Sequence, residues 1–131
     1  MKFHKNGALP GYPCIFVFGS NLAGRHGRGA AKVARQKFNA EYGVGIGMTG
    51  NSYAIPTKGH KLEILDLDDI QSQVHIFVAY ARFYNDDNFF VTAIGCGLAG
   101  YKHADIAPMF QGASDNCSFP EEWKEFLENE Q

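Results

Sequence analysis

Residues 15–34 read IFVFGSNLAGRHGRGAAKVA, and they contain a strand, a glycine-rich turn and a helix start. The run from Ile15 to Gly19 is apolar without alternation, the pattern of a short strand buried on both faces. From Gly29 the spacing changes: Ala30, Ala34 and Phe38 fall on one helical stripe, which predicts a helix to Tyr42 with Gly43 as its stop. The same plan recurs later. Phe89 to Ile94 reads as a buried strand, and residues 93–110, AIGCGLAGYKHADIAPMF, turn on glycines into a short helix from His103 to about Gln111. Glycine lets the backbone come close to a ligand and turn its N–H groups inward, and the helix after the turn adds the positive end of its dipole. One such turn suits a phosphate; two on one chain can hold a diphosphate from both sides.

The remaining segments extend this frame. Residues 1–12 are a loose lead-in or an edge strand. The string Gly43 to Gly50 is too rich in glycine to predict a strand, whereas Ser52 to Pro56 reads as a second buried strand. Leu67, Ile70, Val74, Phe77, Val78, Ala81 and Tyr84 recur at helical spacing, with Asp66, Asp68 and Asp69 at the favourable end of the dipole. Asn85 to Asn88 is a turn. Asn116 to Phe119 reads as a last strand, and Pro120 opens a terminal helix, PEEWKEFLENE, docked by Trp123, Phe126 and Leu127. Strands alternating with helices imply an α/β protein, a three-layer α/β/α sandwich on a mixed, mainly parallel sheet. Both glycine turns then lie at the carboxyl ends of strands, where open α/β sheets bind ligands.

Composition narrows the classes. At 131 residues, 45% hydrophobic and 20% charged, residues 1–131 fit one ordinary globular domain. A net charge of -2 gives no strong cationic field for gripping nucleic acid, although Lys5, Arg25, Arg28, Lys32, Arg35 and Lys37 cluster early. No apolar run reaches the ~20 residues of a membrane span, and the first residues lack a signal-peptide core. Cys14, Cys96 and Cys117 are too scattered for a disulfide framework or a zinc site, and His60 and His103 have no metal-ligand spacing. A cytoplasmic protein without metal or resident cofactor is expected, in which the Asn116-Cys117-Ser118 sequon stays unmodified.

Gly95, Gly97 and Gly100 spell G-x-G-x-x-G, as do Gly45, Gly47 and Gly50, a pattern that raises a dinucleotide site. That site needs a full βαβ crossover and an acidic residue about 20 positions on. Only 31 residues come after Gly100, and the Gly45 string comes after a helix rather than a strand. A NAD-dependent oxidoreductase is therefore the minor alternative. No Walker A spacing is present.

The first turn, with Asn21 ahead of Gly24, Gly27, Gly29 and Ala30-Ala31, resembles the ADP-ribose-binding loop of macrodomains. The second, Ile94-Gly95-Cys96-Gly97-Leu98-Ala99-Gly100-Tyr101, resembles their other phosphate loop. Ile55-Pro56-Thr57-Lys58 and then Leu67-Asp68-Asp69-Ile70 are similar to the branch containing the ADP-ribosyl-glutamate hydrolase and the antitoxin that removes ADP-ribose from DNA. The resemblance runs from about Cys14 to Phe110. It implies a macrodomain-like fold that binds ADP-ribose or an ADP-ribosylated protein or nucleic acid. Backbone groups around Ser20, Gly27, Gly29, Ala30 and the run Gly95, Cys96, Gly97, Leu98, Ala99, Gly100 would line the ligand. Asn21 would face the distal ribose, although an Asn after a strand also serves a turn. Tyr101 would pack beside that ribose, or simply fill the core. Lys58 would be the nucleophile of a lysine-dependent hydrolysis, or else a loop lysine; as a nucleophile it needs burial to lower its pKa. The glutamate hydrolase carries an Asp where this chain has Ala99, which tilts the expectation away from glutamate esters. A non-catalytic ADP-ribose reader, or a protein that sequesters a NAD-derived nucleotide, is the alternative. His26 could contact phosphate, act as an acid or base, or have no role, and Cys96 is expected to pack as a small residue.

Overall fold

A computed structural model describes residues 2–128. One six-stranded sheet runs through it: β1 (Lys2–His4), β2 (Ile15–Asn21), β3 (Gly47–Thr49), β4 (Ser52–Lys58), β5 (Phe89–Val91) and β6 (Cys117–Pro120), in the spatial order β1-β6-β5-β2-β4-β3. All neighbours are parallel except β3, which runs antiparallel to β4. The expected mixed, mainly parallel sheet is present.

Alternation along the strands builds two cores. Val17, Tyr53, Ile55, Phe89 and Val91 face one side and pack under α2 (Leu67–Phe83), α3 (His103–Ile106) and α4 (Lys124–Leu127). Phe16, Phe18, Ala54 and Phe90 face the other side, where α1 (Gly29–Lys37) covers them with Ala31 and Ala34. The central strands are apolar over Phe16–Phe18, Tyr53–Pro56 and Phe89–Val91 because both faces are covered there, and three layers result. Helix α2 starts where the acidic residues indicated, since Asp66 caps it by accepting from the Asp69 amide at 3.0 Å. Of its predicted stripe Ile70, Val74, Phe77, Val78 and Ala81 are buried, with Phe77 at the centre among Tyr53, Phe89 and Phe110, whereas Leu67 is half-buried and Tyr84, just past the helix end, is exposed.

Several boundaries differ from the sequence reading. Helix α1 stops at Lys37 instead of Tyr42, because Asn39 turns the chain at φ 60° and the Ala40 amide folds back to the Ala34 carbonyl. The Gly43 to Gly50 string holds a strand after all: Gly47–Thr49 pairs with Ser52–Ala54. Strand β4 runs on past Pro56 to Lys58. Strand β5 ends three residues early, where Thr92 turns off the sheet with its amide and hydroxyl both donating to the Val17 carbonyl. The lead-in is an edge strand, β1, paired with β6. The helix expected over 103–111 is α3 continued by a 3-10 turn, Ala107–Phe110. The terminal helix is likewise a 3-10 turn, Glu121–Trp123, continued by α4, with Trp123 and Leu127 fully buried; residues 129–131 of its expected span lie outside the described residues.

Candidate functional site

Strands β2 and β4 bring the site together. They pair residue for residue from Phe16 and Ser52 up to Ser20 and Pro56, and then the register slips by one, which sets Asn21 opposite Lys58. The extra residue is Thr57, whose hydroxyl donates to the Ser20 carbonyl at 3.3 Å. A bulge at a strand end bends the strand and re-aims the side chains beyond it. Here it joins the first loop to the Pro56-Thr57-Lys58 segment, and the Leu22 amide donating to the Lys58 carbonyl at 2.9 Å fixes the joint. Lys58 is half-buried and has no ion pair among the described residues.

The first loop leads from Asn21 into α1. Asn21 clasps it: its side-chain amide donates to the Arg25 carbonyl at 2.9 Å, and its amide oxygen accepts from the Arg25 N–H at 2.9 Å. The turn-forming role of Asn21 is thus present, and one N–H and one lone pair remain for a ribose. Ser20 is buried, and its hydroxyl donates to the Gly45 carbonyl at 2.5 Å, so its side chain supports the loop from beneath. Helix α1 begins at Gly29 (φ 56°) with no side-chain cap and no acid in its first turn. The amides of Gly29, Ala30 and Ala31 have no partner among the described residues, and Gly27 and Gly29 face open space. A 9-residue helix with bare first-turn donors attracts an anion.

The second loop presents a matching row. Cys96, Gly100 and Tyr101 donate their amides within the loop, to Ala93, Gly97 and Gly95, which leaves the amides of Gly97, Leu98 and Ala99 without partners among the described residues. Three successive free donors are available to an anion. Nothing stands within 4 Å of where a side chain would sprout from Gly97 or Gly100, and Leu98 is exposed while Ala99 is buried. Gly95 fits between Ile106 and Thr57, with φ 75°, and so ties this loop to the end of β4. The Tyr101 hydroxyl donates to the Leu65 carbonyl at 2.6 Å while its ring packs on the larger core, so it anchors the loop to the chain beyond β4. Burial pushes the Cys96 thiol up to about 11, with Asp105 adding to it, which keeps it protonated and poor as a nucleophile.

Two parts of this site take structural roles that the sequence reading does not give them. The Gly43 to Gly50 string braces the first loop: a side chain at Gly24 would strike the Gly43 backbone, and one at Gly45 would strike the Asn21 carbonyl. His26 is fully buried in the first loop, between Phe18 and Tyr42. The glycine spacing is the only hint of the first, and nothing in the sequence marks the second. Electrostatics favour an anion: nine of the twelve Lys and Arg residues precede residue 62, where Glu41 is the one acid. No group of His, Cys, Asp and Glu suited to a metal occurs among the described residues. Two hollows lie elsewhere. One, lined by acidic residues around α4, encloses about 820 Å³; the other, between Tyr12 and β1, about 380 Å³. Neither includes a residue of the two loops.

A mixed sheet in this strand order, with two rows of free amides at its carboxyl edge, is a macrodomain fold. The structure is similar to the macrodomain of Thermus aquaticus DarG, with a TM-score of 0.70 at 17% identity, over 92% of this chain and 98% of that one. It is equally similar to the macrodomain of Mycobacterium tuberculosis DarG, at TM-score 0.70, 18% identity and coverage of 92% and 97%. A third likeness is to Thermosipho africanus DarTG in complex with ADP-ribose, with TM-score 0.58 and 17% identity, over 84% of this chain and 39% of that longer one. No family model matches the chain, and no curated protein matches its sequence. No helix among the described residues is long and apolar enough to cross a membrane.

Proposed function

We propose that the protein binds ADP-ribose between its two glycine loops and hydrolyses an ADP-ribosyl linkage on a macromolecule, with Lys58 as the nucleophile. The observation that carries this reading is the register slip that sets Lys58 opposite Asn21, at the start of a loop whose following helix has unpartnered first-turn amides. The diphosphate would lie on the amides of Gly29 to Ala31 and Gly97 to Ala99, which leaves the distal ribose toward the ends of β2 and β4. There the Lys58 amine, once deprotonated, would form a bond to the anomeric carbon as the linkage to the macromolecule breaks. Water would then replace the amine and release ADP-ribose. The fold likeness to a chain holding ADP-ribose supports the choice of ligand, and the free thiols suit a reducing, cytoplasmic setting.

The reader alternative, binding without turnover, is favoured by one observation: the buried residue of the second loop is Ala99, and no carboxylate pairs with Lys58 among the described residues. Incubation with ADP-ribosylated protein and ADP-ribosylated DNA separates the two by release of ADP-ribose. Lys58→Ala should abolish release yet keep ADP-ribose affinity within about tenfold, because the diphosphate contacts come from the backbone. Lys58→Arg keeps the charge without a usable amine and should be equally inactive. An active Lys58→Arg protein would end the covalent proposal, and a parent inactive on both substrates would leave the reader.

A further inference from the structure

His26 has the only buried side-chain nitrogens without a hydrogen-bond partner among the described residues, and it lies in the first loop, three residues before α1 begins. Its ring meets Phe18 of β2 at 5.3 Å and 88°, and Tyr42 of the segment after α1 at 6.0 Å and 76°. Arg35 of α1 completes the seat: its Nε donates to the His26 carbonyl at 3.1 Å, and its guanidinium lies 5.7 Å over the Tyr42 ring. The charged or titratable groups facing His26 are thus Arg35 from α1 and Tyr42 from the segment after it; β2 presents only the Phe18 ring. No carboxylate is among them. A neutral imidazole fits this seat as an apolar disc, whereas an imidazolium would lose its hydration, gain no acid and face a guanidinium.

We propose that His26 is a proton-operated latch of the first loop: neutral, it holds the loop down on Phe18 and Tyr42, and protonated, it leaves that seat for water and frees the loop at the mouth of the anion site. The direction of linkage agrees. Burial lowers the His26 pKa below its ordinary 6.5, helped by Arg35 and opposed by the Val44 backbone. The closed loop therefore binds fewer protons than the open one, and acidification through 6.5 favours opening. The latch regulates the ADP-ribose site proposed above, and its bearing on affinity rests on that reading.

Amide hydrogen exchange over residues 22–34 tests it directly, with rates corrected for the intrinsic effect of pH and compared with α2. From pH 7.5 to 5.0 the protection of this segment should fall by up to about thirtyfold relative to α2, the limit for a histidine that titrates at 6.5 only when open. His26→Phe keeps an apolar disc in the seat and removes the proton, so its protection should not change with pH. His26→Leu serves the same purpose if the phenylalanine does not fit, and His4→Gln should leave the response as in the parent. Affinity for ADP-ribose should show the same pattern, falling on acidification in the parent and flat in His26→Phe. An equal pH response in parent and His26→Phe overturns the latch, as does a parent whose protection is unchanged at pH 5.0. Failure of ADP-ribose to bind at any pH would count against the ligand reading alone, because the exchange measurement needs no ligand.

Discussion

Replacing Gly45 by alanine tests how the site is braced. Gly45 has no positive φ, so alanine brings no backbone strain of its own, and the whole effect is one of space. Its Cβ would stand 2.1 Å from the Asn21 carbonyl oxygen, 3.0 Å from the Asn21 carbonyl carbon and 3.1 Å from the Leu22 Cα. These are backbone atoms of a loop held by the Ser20–Gly45 hydrogen bond below and the Leu22–Lys58 hydrogen bond beside it, so no side chain can swing away. Overpacking of this kind costs about 1–3 kcal/mol, here at the upper end because two backbones must part. Alanine recovers about 0.4–1 kcal/mol by restricting the unfolded chain, which leaves about 2–2.6 kcal/mol net. With an unfolding entropy of about 0.28 kcal/mol/K for a chain of 131 residues, the melting temperature should drop by about 7–9 °C. ADP-ribose affinity should weaken with it, since Asn21 and Lys58 move together. Gly11→Ala, at a position with open space and no positive φ, is the control and should melt about 1–4 °C above the parent through the unfolded-chain effect alone. A Gly45→Ala protein that melts within about 2 °C of the parent would refute the tight approach of the glycine string to the first loop.

The same geometry sets three further outcomes. Phe77→Ala empties the centre of the larger core and should cost about 3–5 kcal/mol, or about 11–18 °C in scanning calorimetry; an unchanged melting temperature would mean that α2 presents a different face. Gly97→Glu should fold normally, because nothing lies within 4 Å of the position its Cβ would take, but it sets a carboxylate beside the free amides of the second loop. Like-charge placement costs several kcal/mol, so calorimetric titration should find ADP-ribose affinity about a hundredfold lower or worse, and undiminished binding would misplace the site. Burial lowers the pKa of both His4 and His26. The unfolded chain then takes up more protons below 6.5, so denaturant stability should be flat above that pH and decline as pH falls through it; stability that rises on acidification would contradict the burial of both rings.

The parts legible in the sequence are those written in side-chain periodicity. Helix α2 announces itself through seven apolar residues at helical spacing and an aspartate cap, and β2, β4 and β5 through unbroken apolar runs, because these patterns are direct records of what is covered. Periodicity overextends helix α1 for a tertiary reason. Phe38 continues its apolar stripe and stacks on Phe16 at 4.5 Å, but it does so from the C-cap, just before Asn39 turns the chain. Strand β3 escapes a sequence reading because glycine carries no pattern: its approach to β4 and the first loop depends on side chains that are absent.

The site divides along the same line. Glycine spacing after buried strands locates both loops, since the requirement for free amides at a strand's carboxyl end is a backbone requirement that glycine reveals. The supporting side chains cannot be ranked that way. Asn21, Ser20 and Tyr101 each carry polar groups that suit a ligand equally well, and only their hydrogen bonds to Arg25, Gly45 and Leu65 show that they first hold the loops to each other and to the sheet. Lys58 gains its standing from the bulge at Thr57, a slip of one residue that no periodicity encodes. His26 is the extreme case, because a histidine between two glycines reads as solvated loop until the fold closes Phe18, Tyr42 and Arg35 around it. In the proposed site the ligand would be held by bare backbone, which a sequence shows through its glycines, and the contacts that hold this backbone open exist only in the folded chain.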